Sequence, residues 1–377
     1  MRKLILRAVG DHLLHRQVYE AARQPDGSYC FDSHFERVRP LLEAADISVI
    51  NQETVFVYDR KRVSFFPSFG SPPEVGDAVI NAGFTAVTMA TNHALDKGYS
   101  GIRDSVRFWE SSGKPIVYTG IHADQHDAET FRIIEKNGIR TAVLNYTATL
   151  NYHPRPPVHR RCVDVMSPRS KNRIIREISS ARKKADVVAV FPHWGSEYLY
   201  EPSESQKKWA RIFAEAGADL IIGTHPHVLQ PVETLETCDG RRVPCFYSLG
   251  NFLACQVMQG TMLGGMADTL ISCDDGQVRV EKAEIIPLVI HTDRNYTRFV
   301  TIPLAEYNDE LAAENKMFTV MRARYGWKLD TDYLNRLFED IMTGNAMKDS
   351  MFRSSRDVLW YNIRGISDSI LGIDRKG

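Results

Sequence analysis

Six residues of metal-ligand type stand at the ends of apolar, strand-like runs in this 377-residue chain: Asp11, Glu53, Asn92, His193, His225 and His227. Asp11 follows the run 4–9 through Gly10, Glu53 follows 47–50, and Asn92 follows 86–89. His193 follows 187–191, and His225 and His227 follow 220–222. Carboxylate, amide oxygen and neutral imidazole suit Zn, Mn or Fe and are not what a monovalent ion requires. Two such ions ~3.5–4 Å apart, joined by a bridging carboxylate, activate water for attack on phosphorus. Glu53 is the candidate bridge, and the set predicts two divalent metal ions as cofactors.

Most of these signals also have a plainer reading. Gly10-Asp11 is a common turn pair. Asn92, in Thr91-Asn-His-Ala-Leu-Asp96, suits the cap of a following helix, as does Asp96. His193, beside Trp194, suits a satisfied core histidine. The segment Gly223-Thr-His-Pro-His-Val228 resists such readings. Two histidines flanking a proline fit neither a strand nor a helix, and they do fit a ligand loop. Four motifs in order, all at strand ends, point to one site.

The elements that must position these residues alternate in the manner of a layered α/β fold. Strands are predicted at 4–9, 47–51, 86–89, 116–118, 141–145, 187–191 and 220–222, with helices at 35–45, 74–82, 101–111, 171–184 and 204–216. In such sheets ligands bind beyond the carboxyl ends of the strands, where neighbouring loops converge. After Pro226 the rhythm changes to short strands at 243–248, 278–280 and 283–290, which predicts a second sheet there. Helices are expected at 317–325, 333–342 and 358–371, dividing the chain into a domain over 1–303 and a helical extension over 304–377. The segment 151–161, rich in proline and arginine, is the expected long loop.

On these residues the chain resembles the poly-γ-glutamate capsule biosynthesis (CapA-type) proteins, relatives of the calcineurin-like metallophosphoesterases. The resemblance runs through Gly10-Asp11, Ala45-Asp-Ile-Ser-Val-Ile-Asn-Gln-Glu-Thr54, Ala90-Thr-Asn-His-Ala-Leu-Asp96, His193-Trp-Gly-Ser-Glu-Tyr198 and Pro202-Ser-Glu-Ser-Gln206. It continues through Ala216-Gly-Ala-Asp-Leu-Ile-Ile-Gly-Thr-His-Pro-His-Val-Leu-Gln-Pro231 and Tyr247-Ser-Leu-Gly-Asn-Phe252, covering about residues 3–290. It implies a four-layer α/β/β/α sandwich with two sheets face to face and the metals at their upper edge. It implies that Asp11 and His227 hold one metal, that Glu53 bridges, and that Asn92, His193 and His225 hold the second. His93 would give a hydrogen bond or proton to the leaving oxygen, oriented by Asp96. Asn251 would line the pocket, and Asn51, two residues before Glu53, is placed with it.

Three departures from the general phosphoesterase pattern carry consequences. Where an Asp-x-His is usual on the first strand, this chain has Asp11-His12-Leu13, so one imidazole is missing and the first position is expected to bind its ion more weakly. His12 and His15 are the candidates to compensate, and an extended chain turns His12 to the opposite face. The second carboxylate comes from Asn51-Gln-Glu53 in place of Gly-Asp, an arm longer by one methylene. The membrane anchor usual in such capsule proteins is not expected from this sequence, where no run approaches the ~20 apolar residues that span a bilayer.

Composition narrows the partners. Apolar residues make up 43% and charged residues 25%, values of a globular soluble chain. Lys+Arg and Asp+Glu are equal at 47 each, so no overall field attracts nucleic acid. The six cysteines form no Cys-x-x-Cys pair and read as reduced thiols. Arg7 and Asp11 interrupt the first apolar stretch too early for a signal peptide, so a cytoplasmic location is expected. The expected function is hydrolysis of a small phosphate ester, linked to poly-γ-glutamate or capsule synthesis. The alternative is an accessory protein that binds poly-γ-glutamate or another anionic polymer without turnover. Arg155, Arg160, Arg161, Arg169, Lys171, Arg173 and Arg176 are placed to grip either anion, and equally suit a solvated loop and helix face.

Overall fold

A strand buried on both faces needs apolar residues at consecutive positions, and Val187-Val-Ala-Val-Phe191 is such a run. In the computed structural model, which describes residues 1–346 except 152, 158 and 275, it lies in a strand. Val187, Ala189 and Phe191 enter one apolar cluster, while Val188 and Val190 enter another. The helix expected at 358–371 lies outside the described residues.

The chain first lays down β1 (Arg2–Leu13), α1 (Arg16–Ala22), α2 (Arg39–Glu43), β2 (Ile47–Gln52), α3 (Glu74–Ala82), β3 (Ala86–Thr88), α4 (Gly98–Ser111) and β4 (Val117–Thr119). There follow β5 (Arg132–Lys136), β6 (Ile139–Thr147), α5 (Lys171–Arg182), β7 (Val187–His193), α6 (Glu204–Ala216), β8 (Leu220–Ile222), β9 (Leu229–Glu236) and β10 (Arg242–Leu249). Then come β11 (Asn251–Ala254), β12 (Leu263–Asp274), β13 (Gln277–Thr292) and β14 (Phe299–Pro303), and finally α7 (Asp309–Glu314), α8 (Lys316–Tyr325) and α9 (Thr331–Met342).

Two sheets result. One has eight strands in the order β14-β13-β12-β1-β2-β3-β4, with β11 paired to β1; the other has six in the order β5-β6-β7-β8-β10-β9. Leu4, Leu6, Ala8, Val49 and Ala86 of the first sheet share a cluster with Val143, Ala189, Ile222 and Phe246 of the second. The far side of the second sheet packs on Ile174 and Ile178 of α5 and Trp209 and Phe213 of α6. The far side of the first sheet gathers residues of α1 to α4 together with Met317, Phe318, Leu334, Leu337 and Ile341 of α8 and α9. The architecture is therefore an α/β/β/α sandwich. Each fully buried Leu, Val, Ile or Phe at these interfaces contributes ~1.5–3 kcal/mol relative to exposure. Among the described residues no helix is long and apolar enough to cross a membrane.

The strands after Pro226 do not make a sheet of their own. β9 and β10 join β8, while β12 returns to pair antiparallel with β1, from Arg2 opposite Cys273 to Val9 opposite Met266. The stretches 278–280 and 283–290 are one strand, β13. The helix expected at 35–45 shortens to Arg39–Glu43, because Pro40 lacks an N–H and suits only a first turn. The Pro202–Gln206 segment is a helix start: Ser203 accepts from the Gln206 N–H while the Gln206 side chain accepts from the Ser203 N–H.

One close contact sets the upper edge of the first sheet. Val9 pairs with Ile50 and Asp11 with Asn51, which leaves Gly10 as the extra residue of a bulge. Asp11 also pairs with Asn251, its N–H donating to the Gly250 carbonyl at 2.9 Å. A Cβ on Gly10 would overlap that carbonyl oxygen. Gly10→Ala is expected to destabilise the protein by about 2 kcal/mol or more, seen as a lower urea midpoint at unchanged slope. A midpoint equal to the native one would show that β1 and β11 tolerate a methyl between them.

Candidate metal centre

The bulge at Gly10 delivers Asp11 to the strand edge, where its carboxylate is fully buried. The Asn51 amide donates to Asp11 Oδ1 at 2.8 Å, and the His225 N–H points at both oxygens at 3.3 and 3.2 Å. Asn51 Oδ1 in turn accepts from the Thr88 hydroxyl at 2.9 Å. Asn51 thus orients Asp11.

Glu53 lies just beyond β2, its carbonyl accepting from the Thr91 hydroxyl at 2.6 Å. Its carboxylate is buried, and neither oxygen has a hydrogen-bond partner among the described residues. Three imidazole nitrogens face Oε1: His193 Nε2 at 3.8 Å, His227 Nε2 at 3.8 Å and His93 Nε2 at 3.9 Å.

His193 closes β7 with Nε2 at 2.9 Å from Asn92 Oδ1 and Nδ1 at 3.0 Å from the Thr224 hydroxyl. The His193 and His225 rings lie 4.7 Å apart between centroids, and His225 Nδ1 is buried without a partner among the described residues. His225 and His227 both take left-handed backbone angles, with φ of 98° and 59°. Such angles are strained for residues with a Cβ and gather at functional sites. His227 Nδ1 lies 3.1 Å from Asp11 Oδ2 and 3.1 Å from Asn251 Oδ1. The Asn251 amide is held by Gln256 and the Thr261 carbonyl. Ligand-type atoms of Glu53, His193 and His225, and of Asp11, Glu53 and His227, lie within 4.8 Å of one another in each group.

These residues fit divalent cations. A buried carboxylate with no hydrogen bond is heavily disfavoured unless a cation compensates it. Burial, reinforced by the neighbouring histidines, holds His193 well below the usual imidazole range. Burial pushes His225 down to about 4. Both rings are neutral at pH 7 and keep a lone pair for a metal. Burial also depresses His227, but Glu53 and the hydrogen bond and charge of Asp11 outweigh it and raise the ring to about 10. Glu53 is pushed well above the carboxylate range, chiefly by burial.

His93 approaches from the loop after β3. Its Nδ1 lies 2.7 Å from Asp96 Oδ2, which also accepts from the Phe69 N–H at 2.7 Å, and the Phe69 ring packs edge-on against the imidazole. From the loop after β6, Asn151 Nδ2 comes within 3.3 Å of His93 Nδ1, and His153 Nε2 lies 3.4 Å from Asp96 Oδ1.

Position 13 offers no ligand, since Leu13 packs with Phe69 and Ala254. His12 turns away, with Nδ1 at 2.9 Å from Gln52 Oε1 and Nε2 at 3.3 Å from His34. His15 rests with Nδ1 at 3.1 Å from the Leu13 carbonyl and belongs to neither group of ligand atoms. Arg161 and Arg173 are engaged by Asp164 and Glu177, and Arg155 by the Arg160 carbonyl, which takes them away from gripping an anion. Sequence reasoning passed over Glu197, whose carboxylate groups within 4.8 Å with His225 and His227. Its signal was present: a carboxylate four residues after His193, just beyond a glycine that lets the chain turn.

Without metal the buried Glu53–His227 pair shares a proton at pH 7, and an ion must displace it to bind there. Metal uptake should therefore release at least one proton, with affinity rising about tenfold per pH unit near neutrality. Calorimetry in two buffers of different ionisation enthalpy measures this. Uptake with no proton released would remove the Glu53–His227 pair from the ligand set.

The family described as "Bacterial capsule synthesis protein PGA_cap" matches residues 5–256. The PGA biosynthesis protein CapA of Bacillus subtilis (strain 168) is 32% identical over 248 residues, 65% of this chain and 62% of that protein. The capsule biosynthesis protein CapA of Bacillus anthracis is 31% identical over 259 residues, 67% of this chain and 60% of that protein. The chain thus spans less than two thirds of the length of these relatives. A solved calcineurin-like phosphoesterase from Bacillus subtilis aligns with a TM-score of 0.44 at 15% identity, covering 89% of this chain and 99% of that one. The family match spans every segment from Asp11 to Asn251 that builds the centre, and the chain belongs to the bacterial capsule synthesis protein family PGA_cap.

Proposed function

We propose that this chain hydrolyses a phosphate ester at a dinuclear centre of divalent metal ions, in the synthesis or processing of an anionic capsule polymer. The observation that carries the reading is the buried Glu53 carboxylate, unpartnered among the described residues and faced by three imidazoles. In this reading Asp11, Glu53 and His227 hold one ion, and Glu53, Asn92, His193 and His225 hold the other. When bound, two such ions neutralise phosphoryl oxygens and make water nucleophilic near neutral pH.

The chain's own residues supply the rest. His93, fixed through Nδ1 by Asp96 and facing the centre through Nε2, gives a proton or hydrogen bond to the leaving oxygen. Asn51, Thr224 and Asn251 hold Asp11, His193 and His227 in their orientations. The printed names of the Bacillus relatives support the capsule link and suit an accessory that binds polymer without turnover equally well. The His93–Asp96 pair favours hydrolysis, because a proton donor aimed at the centre has no task in binding alone.

The test is to strip the protein of metal, restore Mn²⁺ or Zn²⁺ stepwise, and follow bound metal and hydrolysis of aryl phosphate mono- and diesters. Turnover should rise with occupancy. His93→Ala should keep its metal and lose ~10²-fold or more in rate. Metal loss in that variant would make His93 a ligand. Stoichiometric metal in the native protein with no turnover on either ester would replace hydrolysis by the accessory reading.

A further inference from the structure

The ligand sets proposed above are unequal. Glu53, Asn92, His193 and His225 give one ion four protein donors, whereas Asp11, Glu53 and His227 give the other three. Leu13, His12 and His15 do not make up the difference.

Among the described residues, Glu197 is a further carboxylate at the edge of the centre. Its carboxylate and the ring nitrogens of His225 and His227 all lie within 4.8 Å of one another. His225 belongs also to the Glu53–His193 group and His227 to the Asp11–Glu53 group, so Glu197 stands beside both positions. Two further facts point to a ligand. The Nδ1 of His225, a residue 5% exposed, has no hydrogen-bond partner among the described residues, and the same holds for both oxygens of Glu53.

The loop that carries Glu197 is built to hold it there. At its start the Trp194 N–H donates to the Thr224 carbonyl at 3.0 Å, and at its end the Tyr198 N–H donates to the Pro226 carbonyl at 2.7 Å. The loop is thereby stitched to both sides of His225. Gly195 and Tyr198 take left-handed φ of 93° and 63°, turning the intervening residues back over the centre. The Tyr198 ring lies 5.9 Å from that of His227. Glu197 is partly exposed, which puts it on the open side, and its charge acts on Glu53, His225 and His227 alike.

We propose that Glu197 is a protein ligand of the metal centre, supplying from the loop between His193 and Tyr198 the donor that position 13 lacks. The proposal rests on the dinuclear reading above and adds a residue to it. It makes the loop after β7 part of the centre, so that the strand ends supply the buried ligands and one loop supplies the ligand nearest solvent.

Binding of Mn²⁺ and Zn²⁺ by equilibrium dialysis, on native protein and on Glu197→Gln and Glu197→Asp, tests it without reference to turnover. The native protein should bind two ions. Glu197→Gln should bind one ion at native affinity and the second at least ~10-fold more weakly. Glu197→Asp keeps the charge on an arm shorter by one methylene and should show the same selective loss. Circular dichroism and thermal unfolding of the metal-free variants should match the native protein. Two ions at native affinity in Glu197→Gln would overturn the proposal and leave the dinuclear reading standing. Native affinity in Glu197→Asp with weakening only in Glu197→Gln would reduce Glu197 to a field effect and overturn its role as ligand. A native protein that binds no divalent ion would sink the dinuclear reading itself.

Discussion

Two carboxylates, Asp11 and Glu53, are buried within reach of the same histidines, and the upper edge of the sandwich is organised around the charge they carry. Asp11 is compensated from within the chain by the Asn51 amide, the His225 N–H and the His227 ring. Glu53 has no such hydrogen bond among the described residues. Removing a carboxylate from water without a partner is far more costly than any single packing contact can offset. The arrangement makes physical sense as one half of an interaction whose other half is a cation. Neutral His193 and His225 have lone pairs to share, while the proton shared by Glu53 and His227 offsets the carboxylate charge.

Holding these groups together demands rigidity at the strand ends, and the two-sheet architecture provides it. β1 pairs with β12 as far as Val9 and, beyond the Gly10 bulge, with β11, so the backbone of Asp11 is fixed between Asn51 of β2 and Asn251 of β11. β7 and β8 bring His193 and the His225–His227 loop from the other sheet, joined by the bridge between His193 and Thr224. The apolar layer between the sheets therefore sets the distance between the Asp11–Glu53 side of the centre and its histidine side. The strain in the two left-handed histidines is sustained by that frame.

The His93–Asp96 pair is organised differently. Its partners come from loops: Phe69 packs on the imidazole and hydrogen-bonds the carboxylate, and the loop after β6 brings Asn151 and His153 to its outer side. Loops carry specificity because they vary and move while the strand ends stay fixed. The cluster of ligand-type residues and the His93–Asp96 pair thus rest on separate parts of the fold, joined where Thr91 donates to the Glu53 carbonyl.

The strand ends that bear Asp11, Glu53, Asn92, His193, His225 and His227 were legible in the sequence, because apolar runs with ligand-type residues after them are a local pattern. The layered α/β class followed from the alternation of strand and helix, and the four-layer sandwich from the family resemblance. The destination of β9 to β14 was not legible, since the hydrophobic pattern of a strand shows which face is buried and not which neighbour it pairs with. Nor were the roles of Asn51 and Asn251, which orient Asp11 and His227 through contacts that exist only after β1, β2 and β11 are aligned. Glu197 stood in a quoted motif yet carried no periodic signal, and its nearness to His225 and His227 depends on a loop tied to residues 224 and 226. Sequence by itself determined the chemistry on offer, since residue type and local spacing decide that. Tertiary structure alone decided which groups share one volume and which, like His12, face away, because such distances arise only when strands far apart in the chain are packed together.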